Sequence, residues 1–82
     1  MSEIKCAGRF LYRYRADNTV AIAKKSIFSS LASQMIVIET MSSIAKPTGH
    51  YCNMVYDGKT YVGVIFMAIP EDQLIAVLEQ NY

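Results

Sequence analysis

The chain has 82 residues, 52% of them hydrophobic and 18% charged, with a formal net charge of +1. That length is one domain's worth and the composition excludes a disordered tail protein. A net charge this close to zero removes the electrostatic case for a nucleic-acid or anionic-membrane binder that works through bulk attraction. Cys6 and Cys52 lack metal-ligand and redox spacing and read as free thiols of a reducing compartment. Met1 to Lys5 is polar with no apolar run behind it, so no secretory leader is expected. The longest apolar runs, Tyr61 to Ile69 and Met35 to Ile38, fall short of the roughly 20 residues needed to span a bilayer.

In chain order, Arg9 to Arg15 alternates strictly. Phe10, Tyr12 and Tyr14 fall on one face, with Arg9, Leu11, Arg13 and Arg15 on the other, the period of a β-strand. Ala16-Asp17-Asn18-Thr19 carries turn chemistry, and Thr19 to Ala23 returns as a second strand.

From Ser26 to Lys46 the residues Ile27, Leu31, Met35, Ile38, Met41 and Ala45 recur at spacings of three and four, which predicts one long helix. Ser26 is its expected N-cap, and Lys46-Pro47-Thr48-Gly49 its expected end. The β-prone run Met35-Ile36-Val37-Ile38 leaves an alternative, a helix to Ser33 followed by a strand. The continuous helix is preferred because Ser29, Ser30, Ser33, Gln34, Thr40 and Ser42 supply a polar side.

His50 to Tyr56 and Lys59 to Ile69 flank Asp57-Gly58, a pair suited to the positive φ angles of a type I′ turn. The second of these strands is apolar on both faces, so it is expected inside the sheet with cover above and below. Pro70-Glu71-Asp72 then opens a helix whose stripe is Leu74, Ile75, Val77 and Leu78, running to about Gln80. The expected fold is α+β, an antiparallel sheet of about four strands in the order β-β-α-β-β-α with two helices, one domain over residues 1–82.

No catalytic constellation stands out. His50 and Cys52 are same-face neighbours on a strand, but their Cα atoms would lie about 6–7 Å apart, a loose spacing for a nucleophile and its base. The glycines never approach a phosphate-loop spacing, and one histidine with two separated cysteines cannot make a four-ligand metal site. The chain therefore reads as a non-enzyme without a cofactor or metal.

Gly49-His50-Tyr51, the Asp57-Gly58 turn, Tyr61-Val62-Gly63-Val64, and Pro70 ahead of Leu74, Ile75 and Leu78 together resemble the longin domain, the profilin-like module of vesicle-fusion SNAREs and trafficking subunits. Tyr12-Arg13-Tyr14 to Ala23-Lys24-Lys25, with Phe28 ahead of the long helix, is similar in layout. The resemblance is to a minimal or truncated form, since no SNARE heptad, anchor or lipidation box follows Tyr82. It implies a cytoplasmic protein-binding module, peripheral to membranes through its partners, whose groove between the first helix and the adjacent strand receives a SNARE-type helix, a peptide or a small-GTPase-linked trafficking complex.

The residues themselves support a binding surface. The apolar surplus, with Ile36, Val37 and a candidate edge strand at 50–56, predicts a patch able to accept a helix, a strand or a second copy as a homodimer. The candidate partner-binding residues are Leu31, Met35, Ile36, Val37, His50, Cys52 and Met54. The alternatives are a small nucleic-acid binder using Arg9, Arg13 and Arg15 with their neighbouring tyrosines, or an oligomeric ligand-sequestering protein of viral type.

Overall fold

The computed structural model describes residues 3–25 and 31–80. It contains β1 (Lys5–Ala7), β2 (Phe10–Tyr14), β3 (Thr19–Lys24), α1 (Leu31–Met41), β4 (Pro47–Tyr56), β5 (Lys59–Met67) and α2 (Glu71–Gln80). The strands form one five-stranded sheet in the order β1-β2-β3-β5-β4, and every neighbouring pair is antiparallel. The α+β class expected from the sequence holds, but the element order is β-β-β-α-β-β-α, so four strands in the order β-β-α-β-β-α is corrected.

The additional strand is β1. Ala7 pairs with Phe10 across Gly8-Arg9, and Gly8 has a φ of 58°, the requirement of a type II′ hairpin turn at its first central residue. A side chain at Gly8 would also meet the carbonyl oxygen of Leu78 at 2.9 Å, so this turn is pressed on the end of α2. Three residues are too few to show an alternation, which is why the strand is hidden in the sequence.

The other hairpins follow their turn chemistry. Asp57 and Gly58 take φ values of 53° and 74° between paired Tyr56 and Lys59. Asn18 takes a φ of 65° in the β2–β3 turn, which Arg15 N–H closes on Thr19 C=O at 2.8 Å. The Thr19 hydroxyl donates to the Asp17 carboxylate within the same turn and holds that carboxyl below its ordinary pKa, with Arg15 adding to the effect.

Residues 35–38 are helical, as the continuous-helix reading requires. Ser26 and Ile27 lie outside the described residues. At the other end α1 stops at Met41 rather than at Lys46, where hydroxyls compete for the carbonyls the next turn would need. Thr40 Oγ1 donates to Ile36 C=O at 2.8 Å and Ser42 Oγ to Glu39 C=O at 2.7 Å, while the N–H groups of Ile44 and Ala45 both turn back on Met41 C=O. The chain is thereby free to enter β4 already at Pro47, a tolerated residue at the start of an edge strand.

Both helices pack on one face of the sheet. Phe10, Tyr12, Val20, Ile22, Val64 and Phe66 from the strands meet Val37 and Met41 of α1 and Leu74 and Leu78 of α2. Each fully buried Leu here contributes roughly 1.5–3 kcal/mol. Glu71, in the first turn of α2, accepts from the Tyr12 hydroxyl at 2.7 Å and from Lys5 Nζ at 3.2 Å, and Tyr14 donates to Ile69 C=O at 2.5 Å. These bonds fasten the start of α2 to the first two strands.

Among the described residues the other face has no helix, yet Leu11, Ala21 and Ala23 are buried on it beside Met54, Tyr61 and Ile65. The sheet curls to cover itself. Cys6 on one edge strand donates to the hydroxyl of Tyr56 on the other, Sγ to Oη 3.2 Å, across this concave side. Its floor is small: Ala21, Ala23 and Gly63 lie at adjacent positions, and a Cβ on Gly63 would sit 2.6 Å from Met54 Sδ. Absence of a side chain there lets the Met54 thioether lie across the strand and close the curl.

Candidate functional site

Register decides which side chains of the edge strand can meet a helix. Tyr51 lies opposite Val64, a residue of the helix-side core, whereas Cys52 lies opposite Gly63 and Met54 opposite Tyr61, on the concave side. Directly opposed residues share a face, so Tyr51, Asn53 and Val55 face the helix side and Cys52, Met54 and Tyr56 the other, while His50 lies in the irregular stretch before Tyr51 and has no directly opposed partner.

α1 packs on β3 and β5 and against α2, which in turn rests on β1. Among the described residues, that leaves β4 as the margin of the helix face on which neither helix principally packs. Tyr51 is 52% exposed and Val55 64% exposed there. On α1 itself only Val37 and Met41 are buried, while Leu31, Met35 and Ile36 are 70%, 56% and 39% exposed. A helix apolar beyond its core-facing stripe presents the excess to water or to a partner. Ile36 and Thr40 line a groove of about 450 Å3 with Arg9, Phe10, Lys24, Glu39 and Gln80, on the flank toward the end of α2. At 100° per residue Leu31 and Met35 fall on the other flank, the one toward β4.

The seven partner-binding candidates are thus split three ways. Leu31, Met35 and Ile36 are exposed on α1, with Ile36 on the α2 side; Val37 is 1% exposed and belongs to the core. His50 is exposed in the irregular start of β4, and Cys52 is half-buried on the concave side, where Met54 is 1% exposed beneath the curl. The structure does not bring the helix residues and these three strand residues together. Tyr51 and Val55 are the strand residues that share a face with α1, and the Asp57-Gly58 turn carried the signal for them, because a two-residue loop fixes which β4 residue opposes which β5 residue.

The arginines do not form one exposed row. Arg9 is exposed at the α1–α2 groove, and Arg15 lies 4.0 Å from the Asp17 carboxylate. Arg13 is half-buried, its Nε shielded from solvent without a hydrogen-bond partner.

No hydrogen bond joins His50 to Cys52 among the described residues. His50 instead edges a cleft of about 350 Å3 with Arg15, Asp17, Thr19, Thr48, Tyr51 and Ile65. The cleft exists because β4 bulges: Pro47 opposes Phe66 and Tyr51 opposes Val64, leaving Thr48, Gly49 and His50 against Ile65 alone. Gly49 has a φ of 92° in the bulge, and the Thr48 hydroxyl donates to Ile65 C=O at 2.9 Å, replacing a lost ladder bond. Both cysteines are free thiols, and the described residues hold no cluster of three or more His, Cys, Asp or Glu suited to a metal ion. No helix among the described residues is long and apolar enough to cross a membrane.

No protein-family model, no curated protein and no solved structure matches the chain.

Proposed function

We propose that the protein is a non-catalytic protein-binding module that works through the open margin of its helix-covered face. The observation that carries this is the exposure of Leu31 and Met35 on the flank of α1 away from its groove with α2, together with that of Tyr51 and Val55 on the edge strand that shares the helix face. These side chains are large and exposed, and they flank an edge whose backbone can accept a strand. The place is the one the longin resemblance implies, between the first helix and the neighbouring strand, with Tyr51 and Val55 taking the part assigned from sequence to His50, Cys52 and Met54. The resemblance alone supports a trafficking partner, a SNARE-type helix or a GTPase-linked complex.

The scattered arginines favour this reading over nucleic-acid binding. Affinity capture from lysate tests it with Met35→Glu, Val55→Glu and Arg13→Glu, identifying both protein and nucleic acid in the eluates. Protein recovered by the wild type and by Arg13→Glu but lost with Met35→Glu and Val55→Glu is the expected result. Nucleic acid recovered by the wild type and lost only with Arg13→Glu would overturn it.

A further inference from the structure

The two edges of the sheet are built differently. β1 is three residues long and carries Lys5, a charge of the kind that blunts edges, whereas β4 runs for ten residues without one Asp, Glu, Lys or Arg. Its proline and its bulge both lie at one end, before Tyr51, so the regular stretch Tyr51 to Tyr56 is left without a charge, a proline or a bulge to discourage pairing with another strand.

The ladder shows which backbone groups of β4 point outward. Ala68 N–H donates to Asn18 C=O at 3.1 Å, extending the β3–β5 pairing. Hydrogen-bonded and non-bonded positions alternate in an antiparallel ladder, so even-numbered residues of β5 bond to β3 and odd-numbered ones to β4. The Thr48 hydroxyl on Ile65 C=O has the same sense. Lys59, Tyr61 and Gly63 therefore bond Tyr56, Met54 and Cys52, their partners in register. The N–H and C=O groups of Tyr51, Asn53 and Val55 face out from the sheet.

From this we infer that the occupant of the open edge is a second copy of the chain, its β4 paired antiparallel with the first about a two-fold axis through Asn53. Asn53 then opposes Asn53 of the partner copy, and Tyr51 of each copy opposes Val55 of the other. All three outward-facing residues fall in hydrogen-bonded pairs at once. Each Tyr51–Val55 pair sets an aromatic ring against a β-branched side chain, a favourable cross-strand combination. No like charges meet, because the strand has none. The bulge at Thr48–His50 ends the pairing at one side and the Asp57-Gly58 turn at the other. Since the axis is normal to the sheet, both helix faces lie on one side, where Leu31 and Met35 of each copy flank the Tyr51–Val55 pairs. A strand-to-strand contact of this size belongs to the small, weak class of interfaces, below about 1,200 Å2, so the dimer should dissociate on dilution.

This inference rests on the reading of that margin as a protein-binding surface. The test combines sedimentation from 1 to about 500 μM with disulfide trapping in a Cys6→Ser, Cys52→Ala background. Asn53→Cys places its own copy directly opposite, at a Cα separation of about 5.5 Å that a disulfide can span. Val55→Cys lies about 13 Å from its copy, four residues along the strand, and serves as the control. The expected result is a concentration-dependent dimer, lost with Asn53→Lys, and a covalent dimer that forms at least tenfold faster for Asn53→Cys than for Val55→Cys. A wild type that stays monomeric, a dimer indifferent to Asn53→Lys, or equal trapping at the two positions would each overturn self-pairing. Amide hydrogen exchange of Tyr51, Asn53 and Val55 separates that failure from failure of the wider reading. Protection gained only in lysate would leave a binding module with another partner, and free exchange both in buffer and in lysate would overturn both.

Discussion

The two faces of the sheet solve the same burial problem by opposite means. On the helix face large side chains such as Phe10, Ile22 and Phe66 stand up from the strands and are capped by Val37, Met41, Leu74 and Leu78. On the concave face the floor is stripped to Ala21, Ala23 and Gly63, and Met54 and Tyr61 fold inward over it. The contrast shows that a strand apolar on both sides need not imply a second layer of elements. Curling the sheet until one edge side chain, Cys6, reaches another, Tyr56, removes the same surface from water.

The largest effect should come from charging the helix face. Val37→Glu places an unpaired carboxylate at a position 1% exposed, and an uncompensated buried charge costs on the order of 3–5 kcal/mol. The variant should lose its cooperative thermal transition, whereas Met35→Glu, one exposed position on the same helix, should melt within a few degrees of wild type. Equal melting of the two would place Val37 outside the core. Phe66→Ala should cost about 3–5 kcal/mol by leaving a cavity between sheet and helices, measured by urea denaturation.

The concave face should fail by overpacking instead. Gly63→Ala brings a Cβ against Met54 Sδ and should cost about 1–3 kcal/mol; pairing it with Met54→Ala should restore part of the loss, which a double-mutant cycle reads directly. Simple additivity would show that the two residues do not share the space. A smaller effect attaches to the latch, where Tyr56→Phe removes the acceptor for Cys6 Sγ at an exposed site and should lower the urea midpoint by less than Gly63→Ala does.

The smallest effect is a pH dependence. Burial, with the hydrogen bond to Glu71 adding to it, raises the Tyr12 hydroxyl above its ordinary value of 10.0. The folded state thus holds this proton more tightly than the unfolded chain, so the contribution is complete below pH 10 and declines as pH rises above it. Glu71 is lowered by the same Tyr12 bond and then by Lys5, so its contribution is present above the ordinary carboxylate range and is lost on acidification. Denaturation midpoints followed from pH 3 to 11 should fall at both ends. Tyr12→Phe should flatten both arms, and arms as steep as in wild type would place the linkage elsewhere.

Much of the fold was legible because it is local. The Asp57-Gly58 hairpin, the Asp17-Asn18 turn, the alternation of Phe10, Tyr12 and Tyr14, and α2 with Glu71 and Asp72 in its first turn each follow from neighbours in sequence. The candidate site was half legible: Leu31, Met35 and Ile36 are exposed as a partner surface needs, while Cys52 and Met54, named with them, point to the opposite face. One step along a strand inverts its facing, and only the count of pairs back from Asp57-Gly58 to the helix-side Val64 sets that parity.

The amino-acid order by itself determined the turns at Asp17-Asn18 and Asp57-Gly58, the strands and helices long enough to show a period, and that β5 lies inside the sheet, since these depend on φ preferences and on periodicity within a few residues. Tertiary structure alone decided that Lys5–Ala7 pairs as a strand, that α1 yields to a turn at Ser42, that the sheet curls over Gly63, and that β4 is left as the open edge. Those outcomes depend on which distant surfaces compete for burial, and the energy of that competition is spread over contacts that no short window of sequence contains.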